Sequence, residues 1–263
     1  MRRLPLTVRR LGARILGSVP IRIRGGPNKG CRWSLVSSGR GYGSGTFEAD
    51  RVHAILALLR RGEQFWDIGA HKGYVSLAAA RAIGSTGHVT ALEPAGLNRA
   101  LLERHVRWNG VENIRVLPFA VSDADGEERF GGTGSSTTFR LGHGDETVRT
   151  RTIRSLVERD GLPPPSVLKI DAEGSEARIL RGGVDYLSPQ LLVWISVHSR
   201  ALYDECRTLL QARGFRLYES ARMAERTSGA VTAWGGDKEL LAVGSARSIS
   251  DTGLHALRLF HTE

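Results

Sequence analysis

Glycines and acidic residues follow two predicted strands at a spacing that suits a nucleoside ligand. The first strand leads into a turn with Gly69 and Gly73, and glycine lets the backbone approach a ligand closely. Asp67 stands two residues before this turn, and Glu93 ends the next strand, 24 residues after Gly69. A carboxylate at such a strand end can accept hydrogen bonds from both ribose hydroxyls. The spacing therefore predicts a site for a ligand that carries a ribose.

The acid at position 67 separates two classes of ligand. A dinucleotide pyrophosphate binds a G-x-G-x-x-G turn at a helix N-terminus, and residues 67–74 lack that pattern. The Asp67 carboxylate would repel a pyrophosphate, whereas it suits an ammonium group. S-adenosylmethionine carries both an ammonium group and ribose hydroxyls. The sequence thus predicts S-adenosylmethionine as the cofactor and disfavours a nicotinamide oxidoreductase.

Two more polar clusters follow the third and fourth predicted strands. Ser122 and Asp123 can hydrogen-bond an adenine edge, although the pair is equally ordinary turn chemistry. Asp171 and Glu173 stand at the end of the fourth strand, and Glu176 falls in the first turn of the next helix, where an acid favours the helix dipole. Three acids this close indicate a metal site or a catalytic pocket. We assign none of them to a metal.

Short apolar runs alternate with amphipathic segments over most of the chain. Helices are predicted at 48–61, 74–83, 97–108, 175–181 and 201–213. Strands are predicted at 64–68, 88–92, 114–119, 167–170, 191–197, 215–218 and 239–243. This alternation predicts a doubly wound α/β fold with a mostly parallel seven-stranded sheet and helices on both faces. The carboxyl ends of the parallel strands then bring the polar clusters to one edge of the sheet.

The 263-residue chain has a formal net charge of +10, and all of this charge lies in its N-terminal part. Ten basic and no acidic residues precede Glu48, which leaves 27 of each sign in residues 48–263. A neutral body offers no track for phosphates, and no Asp/Asn-Pro-Pro-aromatic segment for a flipped base is present. A nucleic-acid partner is therefore not expected. An enzyme that uses S-adenosylmethionine to methylate RNA is kept as the alternative to one that acts on a small molecule.

The chain divides into a basic segment (1–47), a cofactor-binding domain (48–245) and a C-terminal tail (246–263). Apolar residues in the first segment recur at helical spacing, with arginines elsewhere on the helix. A helix that packs its apolar stripe on the body and leaves the arginines in water is the favoured interpretation, and contact of residues 1–24 with an anionic membrane surface or a protein partner is the alternative. Residues 124–152 have no helical period and are predicted to be a substrate loop, or else a surface hairpin without function.

The sequence contains no run near the roughly 20 apolar residues that span a bilayer. Cys31 and Cys206 are 175 positions apart, which excludes a disulfide scaffold and a thiolate zinc site. A cytoplasmic location is expected. The 33 Arg against four Lys, with 32 Gly, are typical of GC-rich bacterial coding.

Five segments resemble the FkbM family of S-adenosylmethionine-dependent methyltransferases, within the class I Rossmann-like group. They are TFE at 46–48, DIGAHKGYVS at 67–76, ALEP at 91–94, AVSD at 120–123 and LKIDAEGSEARILRGG at 168–183. The resemblance implies O-methylation of a hydroxyl on a small-molecule, natural-product or saccharide acceptor. It also implies four groups of cofactor contacts. Asp67, Gly69 and Gly73 would form the cofactor turn, and Glu93 would bind the ribose. Ser122 and Asp123 would lie near the adenine, and Asp171 near the methionine end.

Two positions depart from the family pattern. The family often has Thr-Leu-Asp where this chain has Thr-Ile-Arg154, and a Glu before the Val-His pair where this chain has Ser196. A relative that binds the cofactor without turnover is therefore a further alternative.

A hydroxyl acceptor must lose its proton as the methyl bond forms, so a base is required. His198, at the end of the fifth strand, is the first candidate, because the ordinary pKa of histidine lies near neutral pH. His71, in the cofactor turn, and Glu173 are the next candidates.

Overall fold

The computed structural model describes residues 18–39, 41–132, 139–220, 238–250 and 253, and the backbone of residues 260–262. Fourteen strands are present in these ranges: β1 (Pro20–Arg22), β2 (Arg32–Ser34), β3 (Gln64–Ile68), β4 (His88–Leu92), β5 (Ile114–Leu117), β6 (Ala120–Val121), β7 (Gly126–Gly131), β8 (Arg140–Leu141), β9 (Glu146–Arg151), β10 (Val167–Ile170), β11 (Leu192–Val197), β12 (Arg216–Ser220), β13 (Lys238–Val243) and β14 (Phe260–Thr262). The α-helices are α1 (Ala49–Leu56), α2 (Tyr74–Ile83), α3 (Gly96–Trp108), α4 (Ile153–Glu158), α5 (Glu176–Gly182) and α6 (Arg200–Gln211).

The main sheet has the strand order β14-β12-β13-β11-β10-β3-β4-β5. The five strands from β11 to β5 are parallel. β13 and β14 run antiparallel to them, and β12, which pairs antiparallel with both, runs in the same direction as the five. The predicted mostly parallel, doubly wound fold is confirmed. An eighth strand, β14, extends the seven that the sequence predicts. It lies in the predicted C-terminal tail, where no periodic pattern marks it, and it pairs with β12.

Helices cover both faces of this sheet because the side chains of buried strands alternate between the faces. Phe65 and Trp194 point to the face packed by α1, α2 and α3, whereas Trp66 and Ile195 point to the face packed by α4, α5 and α6. No helix in the described ranges is long and apolar enough to cross a membrane.

The described part of the predicted basic segment packs on α2 and α3. The Trp33 ring stacks on His105 with 3.7 Å between ring centroids, and Asn28 Nδ2 donates to the Tyr74 carbonyl at 2.7 Å. These contacts join residues 20–47 to the sheet domain. Residues 1–17, which hold most of the predicted amphipathic segment, lie outside the described residues.

The segment predicted as a substrate loop supplies three strands, β7, β8 and β9, which join β6 in a second, four-stranded sheet with the order β6-β9-β7-β8. Its aromatic and aliphatic side chains at Phe130, Phe139 and Leu141 reach the carboxyl edge of the main sheet. The absence of a helical period in residues 124–152 is thus explained by β structure. Residues 133–138 lie outside the described residues.

Candidate active site

A cavity of about 530 Å³ lies along the carboxyl edge of the main sheet, and we call it the edge cavity. One row of residues crosses its floor. Glu93, Gly69 and Asp171 each directly follow a strand, and Ser196 and Glu239 pair with each other one position inside the ends of β11 and β13. Glu93 and Glu239 lie four strands apart, or about 19 Å at the usual strand spacing of ~4.8 Å. The cavity is therefore long enough for two ligands side by side.

The turn after β3 follows the predicted glycine pattern. Gly69 has φ 75°, and a Cβ there would overlap the Asp171 carbonyl oxygen. Gly73 has φ 84° and caps α2, but it does not line the edge cavity, since it packs against Leu102 of α3. His71 lines the cavity with φ 50°, a strained conformation for a residue with a side chain. The turn thus brings backbone, rather than side-chain bulk, to the cavity wall.

Glu93 lies in the cavity wall and ties the turn to the next strand. Its Oε2 accepts from the His71 backbone N–H at 2.7 Å, and its Oε1 accepts from the Ala95 N–H at 2.9 Å. Burial raises the pKa of Glu93 to about 7, although these hydrogen bonds oppose the rise. Backbone donors thus hold the carboxylate in one orientation at the end of β4, and the ribose contact stays a prediction.

Asp67 occupies a place that differs from the predicted one. It is fully buried beneath the turn and outside the cavity wall. Ser76 Oγ donates to its Oδ2 at 2.5 Å, and the Lys169 ammonium lies 3.1 Å from its Oδ1. Lys169 also donates to the Gly69 carbonyl at 3.0 Å. A lysine of the chain itself therefore takes the position that the sequence predicted for an ammonium group of the ligand.

Ser122 and Asp123 also lie outside the wall of the edge cavity. Arg178 of α5 pairs with the Asp123 carboxylate at 2.9 Å and directs it away from the cavity. The neighbouring apolar side chains Phe119 and Val121 line the wall instead. The strand end is at the predicted place, but its apolar rather than its polar residues face the cavity.

His198 lies among three carboxylates. Its Nδ1 is 2.8 Å from Glu176 Oε1, and its Nε2 lies 3.4 Å from Glu173 and 3.6 Å from Asp171. Burial alone would lower the pKa of His198, but the hydrogen bond to Glu176 and the charges of the three carboxylates raise it to about 9. The premise that made His198 the first candidate base, a pKa near neutral, is wrong because three acids stabilise the imidazolium.

Asp171, Glu173 and His198 each offer a ligand atom within 4.8 Å of the others, so this cluster has a spacing that suits a metal ion. Asp171 and Glu173 line the edge cavity as predicted, and Glu173 has φ 50°. The same atoms are accounted for by ion pairing around the imidazolium. The assignment of no metal stays a prediction.

Sequence reasoning missed several residues of the cavity wall. Lys169 stands inside the segment 168–183 that carries the resemblance, and its position in a strand of buried residues was the available signal. Trp194, Glu239, Tyr42 and Phe47 also line the cavity. Phe47 belongs to the segment 46–48 that carries the resemblance, whereas no sequence signal points to Trp194, Glu239 or Tyr42, because they reach the edge only through the strand order and the fold of the N-terminal segment.

A profile of the methyltransferase FkbM domain matches residues 67–217, which is more than half of the chain. The chain belongs to this family. The cofactor of this domain is S-adenosylmethionine. The residues of the wall are compatible with this cofactor: the Glu93 carboxylate can accept from hydroxyl groups, the turn at Gly69 carries no side chain, and the apolar side chain of Val121 lines the wall.

One curated protein and two solved structures are similar to this FkbM-family protein. Hexuronic acid methyltransferase AglP of Haloferax volcanii is 25% identical over 162 residues, which are 58% of this chain and 63% of the relative. This chain thus spans less than two thirds of that protein. A solved structure of methyltransferase FkbM from Methylobacillus flagellatus has 20% identity and a TM-score of 0.49, covering 70% of this chain and 44% of its own. Precorrin-6Y C5,15-methyltransferase from Geobacter metallireducens has 13% identity and a TM-score of 0.48, covering 76% and 88%.

The Glu93→Ala variant is expected to bind S-adenosylmethionine about 10²–10⁴-fold more weakly. Two hydrogen bonds to a charged acceptor are lost, each worth about 1.5–3 kcal/mol. Isothermal titration calorimetry measures this change, with Glu112→Ala, an exposed acid beyond α3, as the control. Affinity within threefold of wild type would show that the ribose is bound elsewhere.

Proposed function

We propose that the protein transfers a methyl group from S-adenosylmethionine to a hydroxyl of a saccharide or a similar small hydroxylated acceptor. One observation carries the proposal: the edge cavity continues well past the cofactor turn, to an end formed by Trp194, Ser196 and Glu239. We call this the acceptor end. A carboxylate and a hydroxyl beside an aromatic ring are the groups that recognise polyhydroxylated molecules. The hexuronic acid methyltransferase among the relatives supports a saccharide acceptor.

The residues of the cavity divide between binding and chemistry. S-adenosylmethionine supplies the electrophilic methyl group. Glu93 and the backbone of the turn would hold the cofactor at one end, and the acceptor end would bind the acceptor so that its hydroxyl oxygen could approach the methyl group. Such alignment is worth several kcal/mol of the barrier. The aromatic side chains Phe130 and Phe139 line the edge cavity and help to exclude water from it.

The charges of the cavity wall favour one class of saccharide. Five acidic residues line the cavity, against two lysines and one histidine: Glu48, Glu93, Asp171, Glu173, Glu239, Lys72, Lys169 and His71. Glu93 and Glu239, whose pKa values are about 7, are only partly ionised at neutral pH, and the other three carboxylates are like charges to an acidic sugar, which costs free energy. A neutral or amino saccharide is therefore the acceptor class that this chain favours, in contrast to a uronate.

A charge-matched panel tests this function. Methyl glycosides of glucose, glucosamine and glucuronic acid share a ring and differ in charge, and transfer of radiolabelled methyl from S-adenosylmethionine is measured for each. We expect hydroxyl methylation of the neutral and amino sugars at least tenfold faster than of the uronate. Methylation of none of the three, with methylation of an added transfer RNA, would contradict the proposal in favour of a nucleic-acid substrate. A faster uronate would contradict the charge argument alone.

A further inference from the structure

Glu239 stands at the acceptor end of the edge cavity, although the sequence shows nothing unusual around it. It begins the buried part of β13 and pairs in register with Ser196 of β11. Its side chain is 2% exposed and still lines the cavity. Because Glu239 lies about 19 Å from Glu93 by strand spacing, it is outside the ribose end. This buried carboxylate is therefore positioned for the acceptor.

Three donors fix the Glu239 carboxylate. Its Oε1 accepts from Arg51 Nη1 at 2.5 Å and from Ser196 Oγ at 3.0 Å, and its Oε2 accepts from the Trp194 indole N–H. A carboxylate offers about four lone-pair sites. Among the described residues these donors use three, which leaves one on Oε2. One oxygen is thus fully engaged while the other can accept an acceptor hydroxyl.

The surroundings of Glu239 suit a proton acceptor at neutral pH. Burial raises the pKa of Glu239 to about 7, against the opposing charge of Arg51 and the Trp194 hydrogen bond. From α1 and its N-cap, Arg51 and Glu48 face this carboxylate, and from the end of β10 Asp171 adds a further negative charge. A general base works best when its pKa lies near the working pH.

The position of His198 excludes it from the same role. It does not line the edge cavity, and both of its ring nitrogens face carboxylates. An imidazole in that arrangement has no nitrogen directed at an acceptor hydroxyl. The other two candidate bases line the cavity nearer to the cofactor turn than Glu239 does. His71 lies in the turn itself, and Glu173 lies at the end of β10.

We propose that Glu239 is the catalytic base, with Arg51, Trp194 and Ser196 as the residues that position it. This inference rests on the hydroxyl methylation proposed above. The acceptor O–H bond breaks and its proton passes to Glu239 Oε2, while the acceptor oxygen forms a bond to the methyl carbon. The carbon–sulfur bond breaks, and its electron pair remains on sulfur as a neutral thioether. The proton then leaves to solvent when the product departs.

The Glu239→Gln variant tests the assignment with the best sugar of the panel. The expected result is a 10²–10⁴-fold fall in kcat, the usual contribution of a general base, with the dissociation constant of S-adenosylmethionine within twofold of wild type. The wild-type kcat should also decline below about pH 7, and this limb should be absent in the variant. Equal kcat in the two proteins, or an unchanged pH limb, would overturn the proposal.

A control separates catalysis from folding. Glu63→Gln removes another buried carboxylate with an arginine partner, Arg247 at 2.7 Å, away from the edge cavity, and it should keep wild-type kcat. Glu239→Asp retains a carboxylate and should recover at least tenfold of the activity lost in Glu239→Gln. If Glu239→Gln unfolds, the Glu239→Asp variant carries the test. A changed kcat together with a shifted pH limb supports the base, whereas wild-type kcat with an unchanged pH limb overturns it.

An acceptor-free measurement distinguishes this proposal from the proposed function. The NMR signal of the Trp194 indole N–H, recorded against pH with S-adenosylmethionine bound, reports ionisation of Glu239. A midpoint near pH 7 that is absent in Glu239→Gln supports the base, and a midpoint below about pH 5 overturns it. Failure of the proposed function appears instead as no methyl transfer by the wild-type protein to any sugar of the panel.

Discussion

The Gly69→Ala variant is expected to lose S-adenosylmethionine binding by more than about 10²-fold, since a displacement of ~1 Å in such a site has effects of this size. Two causes add. The φ of 75° costs a residue with a Cβ about 1–2 kcal/mol. The new Cβ would also overlap the Asp171 carbonyl oxygen, which forces the β3 turn and the end of β10 apart. Calorimetry with S-adenosylmethionine and thermal unfolding measure both effects.

Gly214 provides the matched control, because it has the same φ of 75° but a Cβ added there would meet no atom within 4 Å. Gly214→Ala should lower the free energy of unfolding by only about 1–2 kcal/mol, the cost of this backbone conformation for a residue with a Cβ. It should leave the affinity for the cofactor unchanged. If both variants lost affinity equally, or if Gly69→Ala bound the cofactor normally, the close approach of the turn to β10 would not be what the site requires.

The Lys169→Met variant is expected to lose about 3–5 kcal/mol of unfolding free energy, the usual cost of leaving one member of a buried ion pair without its partner. The Lys169 ammonium contacts the buried Asp67 carboxylate at 3.1 Å and the Gly69 carbonyl at 3.0 Å. The neighbouring carboxylates also raise the pKa of Lys169 against the opposing effect of burial, so the ammonium remains charged at all working pH values. Urea unfolding at pH 7 measures the loss.

A double-mutant cycle separates the ion pair from the volume of the side chain. Adding Asp67→Asn to Lys169→Met removes the uncompensated charge and should restore at least half of the lost free energy. The exposed pair of Arg200 and Asp204 is the control, since Arg200→Met should cost less than about 1 kcal/mol. A double variant no more stable than Lys169→Met would show that packing, and not charge, stabilises this position.

Much of the fold follows from the sequence because its strands are short apolar runs bounded by glycines and acids. The predicted bounds of β3, β4, β10 and α2 are those of the structure. Each of these elements is buried at the centre of the sheet or against it, where apolar content and length leave little choice. The edge strand β14 was missed, since pairing with β12, rather than an apolar pattern, defines it.

The candidate site likewise has features that the sequence predicted and features that it did not predict. The sequence alone determined that Gly69, Glu93, Asp171 and Glu173 reach one edge, because strand ends in a parallel sheet share that edge. It did not determine which side chains face a ligand there. Asp67 was assigned to the cofactor, but it lies under the turn against Lys169.

Only the tertiary structure decided the charge state of His198 and the position of Glu239. The pKa of His198 is raised to about 9 because carboxylates from the β10 end and α5 converge on it. Glu239 reaches the acceptor end because β13 inserts antiparallel between β11 and β12 and sets it opposite Ser196. A sequence pattern reports burial and spacing along one strand, whereas the pKa and the role of a carboxylate depend on the groups that neighbouring strands bring beside it.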